Sequence, residues 1–159
     1  MPIQKAKSYA LRLLAIRPRS IKEIKDKLAL KNFPLEDIDA VVNELSSKNY
    51  LNDLEFAQAF LRDRIANNPK GVALLKRELR RRGVEDEASD EALEAIKDTF
   101  DEKETARGLA LLRKRALGKV CGATAKRRVC DYLMRRGFAA HTVYEVVKEV
   151  LDKDETIID

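Results

Sequence analysis

Three stretches of the chain share one arrangement of apolar positions. They are Ile24-x-x-x-Leu28-x-x-x-Asn32-Phe33, Leu75-x-x-x-Leu79-x-x-x-Gly83-Val84 and Val129-x-x-x-Leu133-x-x-x-Gly137-Phe138. Each begins with an apolar pair at i and i+4, the spacing of one helix face. Asn or Gly follows four positions later, then an apolar residue. A helix that stops on a left-handed residue favours Gly or Asn there, because a Cβ clashes in that conformation. In the Schellman ending the next residue folds back onto the one five positions earlier. The pattern therefore predicts left-handed residues at Asn32, Gly83 and Gly137. It also predicts contacts of Leu28 with Phe33, Leu79 with Val84 and Leu133 with Phe138. Recurrence at intervals of roughly 50 residues marks an array of modules.

The repeat extends to both sides. After the first ending come Ile38, Val41, Val42 and Leu45, and after the third, at the same offsets, come Val143, Val146, Val147 and Val150. Both sets lie on one helical face. The second copy keeps Ala92, Leu93 and Ile96 but has Ser89 in the first slot, so its helix is expected to bury less and to be the loosest of the three. A further helix precedes each ending. Tyr9, Ala10, Leu13 and Leu14 mark the first, which stops before Pro18. Phe56, Ala57, Phe60 and Leu61 mark the second, which stops before Pro69. Ala106, Leu109, Leu112 and Ala116 mark the third, which stops near Gly118. No segment alternates with the period of two that a half-buried strand requires. The fold class predicted is all-α: three tandem three-helix modules, helix-turn-helix-like, in an elongated array with boundaries at residues 1–53, 54–103 and 104–159. Start signals agree. Ser20 with Glu23, and Asn52 with Glu55, have capping-box spacing. Pro34 suits a first helical turn, and Gly71 is placed at a helix start.

Composition narrows the function. The chain has 159 residues, is 37% charged and 6% aromatic, and has no Trp. Modules of about 50 residues bury little alone and depend on their neighbours. No apolar run approaches the ~20 residues that span a bilayer. The start, Met1-Pro2-Ile3-Gln4-Lys5, lacks the apolar core of a signal peptide, so a cytoplasmic home is expected. Cys121 and Cys130, the only cysteines, do not have zinc-site spacing, and the lone His141 completes no ligand set. His141 is placed in the first turn of the last helix without a catalytic partner. No phosphate-cradling glycine loop and no nucleophile–base set is present. Neither a catalytic residue, a metal site nor a cofactor is expected.

Charge changes the picture most. The net charge of +5 hides segregation along the chain. Basic residues crowd between Arg62 and Arg82 and again between Arg107 and Arg136, and the helix between them is acidic. With Leu75 and Leu79 facing inward, Lys76, Arg77, Arg80 and Arg81 point outward at 100° per residue. Arg127, Arg128 and Arg135 do the same in the third module. Arg82 and Arg136 fall at equivalent places near the buried edge. These basic faces are candidate binding surfaces for a polyanionic or acidic partner. Sequence-specific reading by a helix-turn-helix is disfavoured. The second helix of each pair, which would enter the major groove, is rich in Asp and Glu, which phosphates repel. Backbone contact with single- or double-stranded DNA, or docking to an acidic protein surface, fits better.

Several motifs in order carry a resemblance. Arg17-x-Arg19-Ser20-x-x-Glu23-x-x-x-Lys27-Leu28 comes first, then Tyr50-Leu51-Asn52-Asp53-x-x-Phe56-Ala57. Gly71-x-x-x-Leu75-x-x-Glu78-Leu79-x-x-x-Gly83-Val84 and Arg127-Arg128-x-x-Asp131-Tyr132-Leu133-x-x-Arg136-Gly137-Phe138 follow. Over about residues 6 to 152 the chain resembles the RecX family of regulatory proteins. Val72 departs from the Pro that the family often has after the Gly. The resemblance implies a modulator of the RecA recombinase that binds along the groove of the RecA–DNA filament. It implies inhibition of ATP hydrolysis, strand exchange and RecA-assisted cleavage of the SOS repressor. A monomer acting through several linked weak sites is the expected form. A general nucleic-acid-binding module and a helical scaffold for an unrelated protein are the alternatives.

Overall fold

The computed structural model describes residues 2–152. Among the described residues the secondary structure consists of nine helices and no strand, so the chain is all-α. In order they are α1 (Pro2–Ile16), α2 (Ile21–Leu30), α3 (Leu35–Ser47), α4 (Asp53–Asn67), α5 (Val72–Arg81), α6 (Asp86–Ile96), α7 (Glu102–Leu117), α8 (Gly122–Arg135) and α9 (Ala140–Leu151). Three successive triplets share one internal plan. The middle helix ends on the repeated motif, and in the first and third triplets the third helix packs against it.

The endings have the geometry that the motif dictates. Asn32, Gly83 and Gly137 take φ of 61°, 84° and 86°. The N–H groups of Phe33, Val84 and Phe138 donate to the carbonyls of Leu28, Leu79 and Leu133 at 3.3, 3.1 and 3.3 Å. Each N–H one residue earlier closes the inner turn on Ala29, Arg80 and Met134, which completes the Schellman pattern. Helix starts differ from expectation in two details. Ser20 Oγ accepts from the Glu23 N–H at 3.1 Å, but the Glu23 carboxylate does not return to the Ser20 backbone. It binds Arg17 and Arg82 instead, because a charged donor outcompetes a neutral N–H. Pro34 has ψ of 145°. It is extended and sits one residue ahead of the first turn of α3.

Two compact units make up the chain. One comprises the residues up to Arg62 together with Glu78–Ala95, the other Asp63–Arg77 together with Ile96 onwards. In the first, Ile24 and Leu28 of α2 meet Val41 and Leu45 of α3 and the small Ala6 and Ala10 of α1. In the second, Val129 and Leu133 of α8 meet Val143, Val146 and Val150 of α9 and Leu109 of α7. All twelve side chains are buried. A buried leucine or valine contributes about 1.5–3 kcal/mol through lost water contact, so these stripes dominate stability. Ser89, in the odd slot of α6, is 1% exposed and its hydroxyl has no hydrogen-bond partner. A buried unsatisfied hydroxyl costs about 1–3 kcal/mol, and Ser46 in α3 carries the same penalty.

Candidate functional site

The faces built by α5 and α8 come first. Helix α5 starts at Val72 because Gly71 precedes it as a compact cap, and Leu75 and Leu79 anchor it inward with no exposure. Arg77, Arg80 and Arg81 are exposed and Lys76 is half-buried. Arg80 reaches across to α6 and forks onto Asp86, with Nη2 at 2.9 and 3.0 Å from the two carboxylate oxygens. That fork offsets its charge in part, so Arg77 and Arg81 carry most of the free positive charge of α5. Helix α8 is anchored by Ala125, Val129 and Leu133, and exposes Arg127, Arg128 and Arg135.

Other cations counted in the sequence are used within the fold. Arg107 Nη2 lies 2.6 Å from Glu149, and Lys103 lies 3.0 Å from the same carboxylate. Hydrogen bonds from Arg107, then Lys103, hold Glu149 below its ordinary pKa. Lys126 pairs with Asp152 at 2.7 Å. Arg113 and Arg136 both lie against the Tyr132 ring, at 5.3 and 5.7 Å. The basic surface is therefore narrower than the sequence count suggests.

Arg82 and Arg136 belong to a joint that occurs twice. In the first unit, Ser20 Oγ donates to the Arg82 carbonyl at 2.6 Å, and Glu23 meets the Arg82 guanidinium at 2.5 Å. Arg82 also lies over Phe60 at 5.2 Å. The N–H of Ile21, the first residue of α2, donates to Asp53, the first residue of α4, at 2.9 Å. In the second unit, the Gly71 N–H donates to the Arg136 carbonyl at 2.8 Å. The N–H of Val72, the first residue of α5, donates to Glu102, the first residue of α7, at 3.0 Å. In both places a helix N-terminus is held by an acid at a helix start and by a carbonyl at the end of the next ending. Orphan N–H groups of a first turn need such acceptors.

Approach is close enough to exclude a Cβ. One added at Gly83 would lie 2.5 Å from Lys22 Cβ, and one at Gly137 would lie 2.3 Å from Leu74 Cβ. One at Gly71 would lie 2.2 Å from the Gly137 carbonyl oxygen. Both acids of the first joint are perturbed. Burial pushes the Asp53 carboxyl up, and the charges of Glu85 and Glu23 add to that, while the Ile21 N–H pulls the other way; the net shift is upward. Burial also pushes Glu23 up, but hydrogen bonds and charge from Arg17, then Arg82, prevail and its pKa is lowered.

A further patch, in the first triplet, was absent from the sequence-derived candidates. Lys31 ends α2 where Arg82 ends α5, and it lies 5.8 Å from the Tyr9 ring. Arg12 lies 5.9 Å from the same ring. Tyr9 precedes Lys31 by the same number of residues as Phe60 precedes Arg82, a signal present in the sequence. An open groove of about 1030 Å³ runs here, lined by Lys5, Tyr9, Arg12 and Lys31 and by Leu13, Ile16 and Phe33. His141 is exposed in the first turn of α9. Cys121 is exposed at the start of α8, and Cys130 is half-buried with its thiol pKa pushed up by burial and by Asp131. Among the described residues no group of three or more His, Cys, Asp or Glu is placed to hold a metal ion. No helix among them is long and apolar enough to cross a membrane.

Known proteins resemble this chain in sequence and in fold. Residues 6–45 match the first three-helix domain of RecX, and residues 52–93 match the second. A regulatory protein RecX from Amycolatopsis mediterranei is 33% identical over 159 residues, covering 98% of this chain and 90% of that protein. One from Corynebacterium efficiens is 36% identical over 149 residues, covering 91% of this chain and 70% of that protein. The crystal structure of RecX from Lactobacillus salivarius has the same fold, with a TM-score of 0.83 at 23% identity, over 94% of this chain and 96% of that one.

Proposed function

Because the chain belongs to the RecX family of regulatory proteins, we propose that it is a non-catalytic negative regulator of the RecA recombinase. In this reading it binds along the groove of the RecA–DNA filament as three linked modules, residues 1–53, 54–103 and 104–159. It restrains ATP hydrolysis, strand exchange and RecA-assisted repressor cleavage by occupying the filament and does no chemistry of its own. The observation that carries the reading is the repeated solvent-exposed arginine face: Arg77, Arg80 and Arg81 on α5, and Arg127, Arg128 and Arg135 on α8. Lys76 flanks the first of these. Arginine suits such a partner because its planar fork matches carboxylate and phosphate alike. Linked faces, each of modest strength, gain avidity when all engage one long target.

The exposed arginines also favour a second reading, in which the same faces grip the DNA backbone directly and without regard to sequence. Binding of the full chain to DNA alone, to RecA alone and to the assembled filament separates the two. The regulatory reading expects the tightest binding to the filament and inhibition of its ATP hydrolysis. Equal affinity for bare DNA and filament supports the second reading and overturns the first.

A further inference from the structure

Every triplet ends its middle helix in the same way, yet the three endings are treated differently. The ending of α5 receives the N-terminus of α2: Ser20 bonds the Arg82 carbonyl, Glu23 pairs with its guanidinium, and Lys22 presses on Gly83. The ending of α8 receives the N-terminus of α5: the Gly71 N–H bonds the Arg136 carbonyl, and Leu74 presses on Gly137. The ending of α2 has the same backbone turn and the same stacked cation, yet Lys31 and Asn32 are exposed. We propose that the uncovered end of α2 docks the N-terminus of a helix from a partner protein, one that carries a carboxylate in its first turn.

Three observations define that occupant. The chain itself shows what covers this surface, since in both other triplets it is a helix N-terminus. Such an approach sets the partial positive charge of the incoming helix against the partial negative charge of the α2 C-terminus. The rim supplies the charge requirement. Lys5, Arg12 and Lys31 line the groove with no carboxylate among its residues, and the cation at the Lys31 position of α5 is the one that takes Glu23. The floor supplies the apolar requirement, because Leu13, Ile16 and Phe33 lie beneath the rim and Ile16 is 75% exposed.

A second copy of this chain fits poorly. Where α2 has Lys22 and Glu23, the same register in α8 has Arg127 and Arg128, which the Lys31 rim repels. Single-stranded nucleic acid fits less well than protein. Arg12 and Lys31 already engage the Tyr9 ring, which a base would need as a stacking platform, and the rest of the floor is aliphatic.

The inference rests on the regulatory role in that RecA is the partner tried. The photo-crosslinker p-benzoylphenylalanine is placed at the exposed Leu30 of the full chain. It is irradiated with RecA filaments on poly(dT), and the adducts are mapped by mass spectrometry. The expected adduct lies on RecA, in the first turn of a helix bearing Asp or Glu. Lys31→Glu should abolish it and weaken filament binding about tenfold, while Lys31→Arg keeps both. An adduct on DNA or on a second copy overturns the proposal, as does filament binding undiminished in a Lys31→Glu variant of unchanged circular dichroism. If the unmodified chain does not bind the filament, the regulatory reading fails and takes this inference with it. If binding survives Lys31→Glu but falls on reversal of Arg77 and Arg81, only this inference fails.

Discussion

Gly71 gives the sharpest test of the joint, because chain-local reasoning and the structure predict opposite signs for Gly71→Ala. Gly71 is not among the residues with positive φ. Ala at such a helix start normally stabilises by about 0.4–1 kcal/mol, through lost freedom of the unfolded chain. Here the new Cβ would lie 2.2 Å from the Gly137 oxygen and 2.3 Å from the Gly137 carbonyl carbon. Those are backbone atoms, so the joint must open. Forcing a methyl into a packed site costs about 1–3 kcal/mol. Opening also strains the 2.8 Å bond from the Gly71 N–H to the Arg136 carbonyl, worth about 1 kcal/mol. The expected net is a loss of about 1–3 kcal/mol. Two companions separate the causes. Asn32→Ala has the left-handed φ of 61° but an exposed position, so it should cost only the conformational penalty of about 1 kcal/mol. Gly137→Ala has both the φ of 86° and the approach to Leu74, and should cost about 2–4 kcal/mol. Urea unfolding followed by far-UV circular dichroism reads all three. The Gly71→Ala, Gly137→Ala double variant should cost less than the sum, since one opening relieves both clashes. A stabilising Gly71→Ala, or equal costs for Asn32→Ala and Gly137→Ala, would show that the close approach is not real.

Asp53→Asn should raise thermal stability at neutral pH. The folded pKa of Asp53 is raised, so its stabilising form is the protonated one, fully present below the unfolded value of about 3.9 and lost as pH rises through the folded value. The gap between variant and parent should therefore vanish in acid and open with rising pH, and a gap that widens in acid would reverse the assignment. Glu44, held down to about 2 by hydrogen bonds from Lys48 and Lys7, has the opposite sign. Glu44→Gln should lower the melting temperature at neutral pH, with the difference shrinking as the pH falls from the usual carboxylate range. Reversing Arg77, Arg80 and Arg81 together to Glu should weaken filament binding and flatten its salt dependence, because fewer counterions are released. An unchanged affinity and slope in a folded variant would assign these arginines to solvent alone. Replacing His141, Cys121 and Cys130 with Ala should leave inhibition of RecA ATP hydrolysis intact, and its abolition in a stable variant would contradict a purely binding role.

Local rules made the helix endings legible. A left-handed residue after an i, i+4 apolar pair is decided within about six residues, and Asn32, Gly83 and Gly137 follow that rule. The outward arginines of α5 and α8 followed from Leu75, Leu79, Val129 and Leu133 by helical geometry alone. Lys76, on the same outward face, is half-buried, and that degree of cover depends on neighbours outside its own helix. The joints were illegible for the same reason. Asp53 and Glu102 reach N–H groups about thirty residues earlier, and no short-range pattern fixes such a pairing. Glu23 was assigned to its own helix start because the arginine that takes it lies 59 residues on. The Tyr9–Lys31 pair could have been found, because its spacing repeats in Phe60 and Arg82.

A close approach that leaves no room for a Cβ has an evolutionary consequence. The bond of the Gly71 N–H to the Arg136 carbonyl asks for no side chain, whereas the Ile21 and Val72 N–H groups depend on the Asp53 and Glu102 carboxylates. Exposed positions can change and recolour the charged faces while these close contacts persist. Drift is forbidden where nothing projects, at Gly71, Gly83 and Gly137. These glycines are thus limited by what they lack, and the exposed arginines of α5 and α8 face no such steric limit.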